Sequence, residues 1–211
     1  MGKSLRVTLG QHSLAGAGPV NQDFFGAMLP EGSLQVTKGI ALALADGIGS
    51  STVSQIASAA AVRGFLEDYY ATSDAWSVRR SAQRVLDATN SWLHAQTMRS
   101  DARFDKDSGY VCTFDALILK GRELHLLHVG DARIYRLHPN ALEQLTEDHR
   151  VHVSSAESYL GRALGAGPLC KDEHLARLFA DLPVFLRQSH AERDLEALGR
   201  AMTQESAPWQ L

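Results

Sequence analysis

Lys38-Gly39-Ile40-Ala41-Leu42-Ala43-Leu44-Ala45-Asp46-Gly47-Ile48-Gly49-Ser50-Ser51 is the stretch on which the fold turns. The apolar run is short, lies between Gly39 and Gly47, and leads into a cluster of glycines and serines. A run of that length between such breakers reads as a fully buried strand, although periodicity alone also admits a helix. The residues from Asp46 onward force a turn. Asp-Gly is among the commonest turn dipeptides, so a plain turn is the default for Asp46-Gly47. The functional alternative is half of a metal site. A carboxylate at the end of a buried strand has a fixed backbone, and a glycine after it lets its carbonyl approach a cation. Mg²⁺ and Mn²⁺ prefer oxygen donors of this kind and keep several waters.

Outward from that stretch, residues 21–29 mix Phe24, Phe25, Ala27 and Met28 and read as a short strand. Residues 11–19 read as a loop, and residues 6–9 as a possible edge strand. Beyond Ser51 the period becomes helical. Val53, Ile56, Ala57, Ala60, Ala61, Gly64 and Phe65 recur at three- and four-residue spacing, with Ser51 or Thr52 available as a cap. Residues 76–98 read as a second long helix, capped by Ser73-Asp74. Four short runs follow, at 111–119, 123–129, 132–137 and 142–145, with turn residues between them; they predict an antiparallel meander. Strand, two helices and meander make an α+β layout. Residues 173–199 read as helix-like, interrupted by Pro183, and no alternating strand run stands out after about residue 155.

Composition excludes several classes. The chain has 211 residues, which at about 150 per domain favours a single domain. Lys and Arg total 21 against 24 Asp and Glu, a net charge of −3 that lacks the cationic surplus of a non-specific nucleic-acid binder. No apolar run approaches the ~20 residues a membrane span needs, and the N-terminal stretch has no secretory core. Two cysteines, Cys112 and Cys170, are too few for a disulfide scaffold or a cysteine zinc site. The expectation is a soluble, cytoplasmic domain.

Asp23 and Asp131 are the other acidic candidates. Asp23 alone is more often a solvated or capping residue; paired in space with Asp46 it would orient a water at the site. Asp131, in Gly130-Asp131 between two strand runs, is a turn residue by default and a third oxygen donor if it points into the same cleft. Of the nine histidines, His125 and His128 are three apart in a strand and would face opposite sides. No His-x-x-x-His helix motif and no Gly-x-Ser-x-Gly elbow is present, so zincin and serine-hydrolase chemistry lack support. Cys112 has no evident electropositive setting that would make it a nucleophile.

Taken in order, the motifs resemble the metal-dependent protein serine/threonine phosphatases, the type 2C or PPM family. The matching pieces are Asn21-Gln22-Asp23-Phe24, Ala43-Leu44-Ala45-Asp46-Gly47-Ile48-Gly49 and Cys112-Thr113-Phe114-Asp115-Ala116-Leu117. They continue with His128-Val129-Gly130-Asp131-Ala132-Arg133-Ile134-Tyr135, Leu145-Thr146-Glu147-Asp148-His149 and Leu160-Gly161-Arg162-Ala163-Leu164-Gly165. The texture is most similar to the phosphatase half of bacterial phosphatase–kinase fusions.

That resemblance implies an antiparallel β-sandwich flanked by helices, with two Mn²⁺ or Mg²⁺ ions at one end. It implies that Asp46 bridges the ions and that the Gly47 carbonyl binds one of them. Gln22 stands where the family usually has a glutamate that contacts metal through water, Asp23 would orient the attacking water, and Asp131 would hold a third, weaker ion. The implied reaction is hydrolysis of phosphoserine or phosphothreonine on a protein substrate by a metal-activated water, with a kinase as possible partner. Two departures stand beside it. Gly18 occupies the position where the family usually has an arginine or lysine for the substrate phosphate, and no counterpart of two later metal-binding aspartates occurs in residues 165–211. The expected division is therefore a phosphatase-like domain over 1–168, incomplete at its C-terminal end, and a divergent helical tail over 169–211. The alternative expectation is an inactive, truncated phosphatase-like binding or regulatory module.

Overall fold

The apolar run after Gly39 is a strand; the helix that periodicity also admits does not form. The computed structural model describes residues 6–16, 18–48, 51–104, 108–152, 158–160, 176–179 and 184–187. In it β1 (Asp23–Met28) lies antiparallel to β2 (Ile40–Asp46), with Asp23 opposite Asp46 and Met28 opposite Ala41. Then follow β3 (Phe114–Lys120), β4 (Glu123–Val129), β5 (Arg133–His138) and β6 (Ala141–Gln144); the four expected strands form, but as two hairpins in separate sheets, β3 with β4 and β5 with β6, which corrects the single meander read from the sequence. The short strands β7 (Arg150–His152), β8 (Ser158–Leu160), β9 (Ala176–Phe179) and β10 (Val184–Arg187) come last. Among the described residues the larger sheet runs β1-β2-β3-β4-β9, a second runs β10-β5-β6, and β7 pairs with β8.

Strand parity sorts the side chains of the larger sheet into two cores. On one face Ala41, Ala43, Ala45, Phe114, Ala116, Ile118 and Leu127 meet helix α2 (Ser54–Ala71) through Ala57, Ala61, Val62 and Phe65. The alanines of β2 leave room for that helix to lie close. Phe65, fully buried, packs edge-on against Phe114 with ring centroids 5.0 Å apart. Helix α3 (Val78–Arg99) closes over the same core through Val78, Ala82, Val85, Leu86 and Leu93. On the other face Leu117, Leu124 and Leu126, with Leu42 and Leu119 beside them, pack against Ile134 of β5. One sheet face thus carries helices and the other a second sheet, an α+β sandwich.

The far end of β2 is stapled to the end of α2. Buried Lys38 donates from Nζ to Thr72 Oγ1 at 2.7 Å and to the Ser73 carbonyl at 2.9 Å. Burial holds its pKa below the ordinary lysine value. Tyr69 and Tyr70 return the link, donating to the carbonyls of Lys38 at 2.9 Å and Gly39 at 2.8 Å.

Several local expectations are corrected. Residues 6–9 form no strand, and the short helix α1 (Gly32–Lys38) stands where none was read. Helix α3 is capped by Ser77, whose side chain accepts from the Arg80 amide, not by Ser73-Asp74. The N-cap of α2 is Val53; Ser51 acts one step earlier, its Oγ accepting from the Val53 amide at 3.2 Å. The largest correction falls in the tail read as helical. Its described pieces, Ala176–Phe179 and Val184–Arg187, are strands that pair antiparallel with β4 and β5. An unpaired sheet edge leaves a row of backbone donors and acceptors open, and those two edges take up the extended segments. The rest of the tail, and with it the proposed boundary at 168, lies outside the described residues.

Candidate functional site

Asp23 and Asp46 face each other across β1 and β2 at the end of the larger sheet. As register partners they leave the same face, the one shared with Leu42 and turned toward the second sheet. Both are half-buried. The start of β1 is fixed by Asn21, whose Oδ1 accepts from the Asp23 amide at 3.0 Å while its Nδ2 donates to Ser13 Oγ at 2.7 Å. An Asn that bonds the backbone two residues on is an Asx-turn, which aims the chain into the strand.

Gly47 is required by close approach. A Cβ built there would lie 2.6 Å from Ser54 Cβ and 2.7 Å from the Ser54 carbonyl, so the first turn of α2 rests on this glycine. The Gly47 amide donates to the Gln22 carbonyl at 3.1 Å, and Ser58 Oγ donates to the same carbonyl at 2.6 Å. Gln22 spends its Nε2 on the Ser51 carbonyl at 3.2 Å, which leaves Oε1 as the side-chain acceptor. Cys112, which bridges Gly47, is buried and forms no disulfide among the described residues.

Asp131 follows β4 in a turn that needs Gly130, whose φ is +115°. The turn is held from residues 145–149: the His149 amide donates to the Gly130 carbonyl at 2.7 Å. The rings of His149 and His128 lie against each other at a tilt of 43°, with centroids 4.7 Å apart. Two residues on, Arg133 grips both oxygens of Asp148, Nε to Oδ1 and Nη2 to Oδ2, each at 2.8 Å, and that pair raises the guanidinium pKa.

Under these turns lies a pair with no assigned role in the sequence reading. Asp115 is fully buried, and its Oδ1 lies 2.6 Å from Nδ1 of His128. Nε2 of His128 lies 2.9 Å from the Glu147 carbonyl. The available signal was a lone aspartate in the apolar run Phe114-Asp115-Ala116-Leu117-Ile118-Leu119. An ionisable group there must find a partner or neutralise.

The structure therefore brings Asp23 and Asp46 together directly and sets Asp131 on a neighbouring turn. Among the described residues no three His, Cys, Asp or Glu side chains gather closely enough to hold an ion. The candidate donors named at the Asp23–Asp46 end, the two carboxylates, Gln22 Oε1 and the Gly47 carbonyl, are oxygens, the kind a hard divalent cation takes.

A family model described as protein phosphatase 2C matches residues 11–161. The serine/threonine phosphatase stp of Listeria welshimeri is 32% identical over 113 residues, which cover 50% of this chain and 42% of that protein. The chain thus matches less than half the length of that relative. The Mycobacterium tuberculosis serine/threonine phosphatase PstP/Ppp superposes with a TM-score of 0.58 at 22% identity, over 77% of this chain and 68% of that one. The PstP catalytic domain in complex with two manganese ions gives a TM-score of 0.56 at 23% identity, over 79% and 69%. Stp1 from Staphylococcus aureus gives 0.57 at 14% identity, over 89% and 76%. At such identities the structural likeness shows the fold.

Proposed function

Since the chain belongs to the protein phosphatase 2C family, we propose that it is a metal-dependent phosphatase acting on phosphoserine and phosphothreonine in proteins. The observation that carries this is the register pair Asp23–Asp46, two half-buried carboxylates on one face at the end of a buried strand. Asp46 would hold two Mn²⁺ or Mg²⁺ ions with help from the Gly47 carbonyl. Gln22, through Oε1, would meet one of them by way of a water, and Asp131 would hold a third. The manganese in the PstP structure and the oxygen donors named here support that choice. Bound ions of this class lower the pKa of a water and neutralise the charge of a phosphoryl group in line for displacement.

The protein's own contribution is placement. Asp23, fixed by the Asn21 turn, accepts a hydrogen bond from the attacking water and aims it at phosphorus. Asp46 is held at both its backbone amide and its carbonyl, so the main chain that carries its carboxylate is fixed. Gly18 supplies no cation to the substrate phosphate, so weaker substrate binding is expected than an arginine or lysine there would give. The substrate is a phosphoprotein, made by a kinase that acts as the opposing partner. No helix among the described residues is long and apolar enough to cross a membrane.

Release of phosphate from a phosphoserine peptide, with and without Mn²⁺, tests the proposal. Turnover should require Mn²⁺ and fall in Asp46→Ala by more than the ~100-fold that outer-shell substitutions reach. Turnover unchanged in that variant overturns the site. Mn²⁺ binding without turnover would favour the non-catalytic module instead.

A further inference from the structure

We propose that Thr113 is a positioning residue that sets the Asp46-Gly47 and Gly130-Asp131 turns relative to each other, its hydroxyl governing the first and its methyl the second. Its place in metal binding rests on the assignment of Asp46 and Asp131 above; the contacts themselves do not. The Thr113 amide donates to the Asp46 carbonyl at 2.8 Å, and the Asp46 amide donates to Thr113 Oγ1 at 3.0 Å. The residue thus closes both backbone groups of Asp46, one with its main chain and one with its side chain. On its other side the methyl fills the space over Gly130. A Cβ built on Gly130 would lie 2.7 Å from Thr113 Cγ2 and 2.8 Å from Thr113 Cβ.

Threonine suits this position for a definite reason. Both substituents branch from one carbon, so χ1 is stiff and one rotamer fixes the hydroxyl and the methyl together. Thr113 is buried, which leaves Oγ1 no bulk solvent as a substitute partner. Serine would keep the acceptor for the Asp46 amide but give up the methyl contact over Gly130, keeping only the Cβ. Valine would keep the filling but remove the acceptor that the half-buried Asp46 amide uses, which weakens its hold. The two halves of the side chain are therefore separable by conservative substitution.

The test uses the full chain as wild type, Thr113→Ser and Thr113→Val, with amide hydrogen exchange by NMR and calorimetric titration with Mn²⁺. In Thr113→Val the Asp46 amide should exchange about ten-fold faster, with the His149 amide, which donates to Gly130, unchanged. In Thr113→Ser the pattern should invert: Asp46 stays protected and His149 speeds up. Each variant should lose about ten-fold in Mn²⁺ affinity. Equal acceleration at both amides in both variants would mark general loosening and overturn the proposal, as would wild-type exchange in both. Should a variant not fold, side-chain couplings of Thr113 in the wild type decide: one χ1 rotamer supports the proposal and rotamer averaging overturns it. A wild type that binds no Mn²⁺ would overturn the metal assignment and the metal-site part of this inference, while the exchange pattern still decides the positioning.

Discussion

Nδ1 of His128 lies 2.6 Å from Oδ1 of Asp115, and Nε2 of the same ring lies 2.9 Å from the Glu147 carbonyl, so one imidazole joins β3, β4 and the segment leading to His149. A carbonyl can only accept, so Nε2 carries a proton. The short contact at Nδ1 then holds a second proton between ring and carboxyl. Burial pushes the Asp115 carboxyl above its ordinary value, with Asp131 and Asp148 adding to the rise. Burial works against the charged imidazole, but the Asp115 hydrogen bond and charge prevail and raise its pKa. Oδ2 of Asp115 is buried and has no hydrogen-bond partner among the described residues, so there the pair rests on Oδ1.

A pH dependence follows. Both groups have raised pKa values in the folded state, so the fold binds more protons than the unfolded chain. Their contribution is complete below the unfolded values and is lost as pH rises through the folded ones. For His128 the loss begins near the ordinary imidazole value of about 6.5. Thermal melts should show stability declining as pH rises through the neutral range, and Asp115→Asn should flatten that decline. Asp115→Ala, which leaves the imidazole buried without its carboxylate, should cost about 3 kcal/mol. An unaltered pH slope in Asp115→Asn would remove the pair from the account.

Two glycines in one region should respond oppositely to alanine. At Gly47 a Cβ meets the Ser54 backbone at 2.7 Å, so the first turn of α2 must move, at about 1–3 kcal/mol. That movement also pulls Ser58 from the Gln22 carbonyl beside Asp23. At Gly64, inside α2, a Cβ meets nothing within 4 Å, and alanine should stabilise by about 0.5–1 kcal/mol. Denaturant unfolding of the two variants checks both signs at once.

Much of this arrangement was legible from local signals, and the failures have a common physical origin. The strand ending at Asp46 follows from a short apolar run between glycines, and α2 and α3 follow from three- and four-residue spacing. The tail misled because Leu175, Leu178, Phe179 and Leu182 also fit helical spacing. The outcome at 176–179 was decided instead by the open edge of β4, which no local pattern encodes. Thr113 and the Asp115–His128 pair were visible as residues in motifs but not as contacts. Their roles depend on the register that sets Asp115 opposite His128, and register is a property of two strands together.

Arg133 should not tolerate lysine. Its guanidinium meets both carboxylate oxygens of Asp148 at 2.8 Å, a two-point grip that a single ammonium cannot reproduce. Both side chains are only partly exposed, at 29% and 16%, so solvent screens the pair incompletely. Arg133→Lys should cost about 1 kcal/mol and loosen the 145–149 segment that holds Gly130. Hydrogen exchange at the His149 amide, which bonds the Gly130 carbonyl, reads that loosening directly.

Divalent metal should stabilise the folded chain through Asp46. A ligand that binds only the native state adds stability by mass action, about 2.7 kcal/mol at a free concentration one hundred times its dissociation constant. For a domain of this size that is a rise of several degrees in melting temperature. The rise should vanish in Asp46→Ala, because that carboxylate is the proposed shared donor. In Asp131→Ala it should shrink only modestly, since Asp131 serves a weaker third position on a separate turn. Equal loss in both variants would mean that the two turns form a single site. Loss in neither would move the metal away from the end of β2.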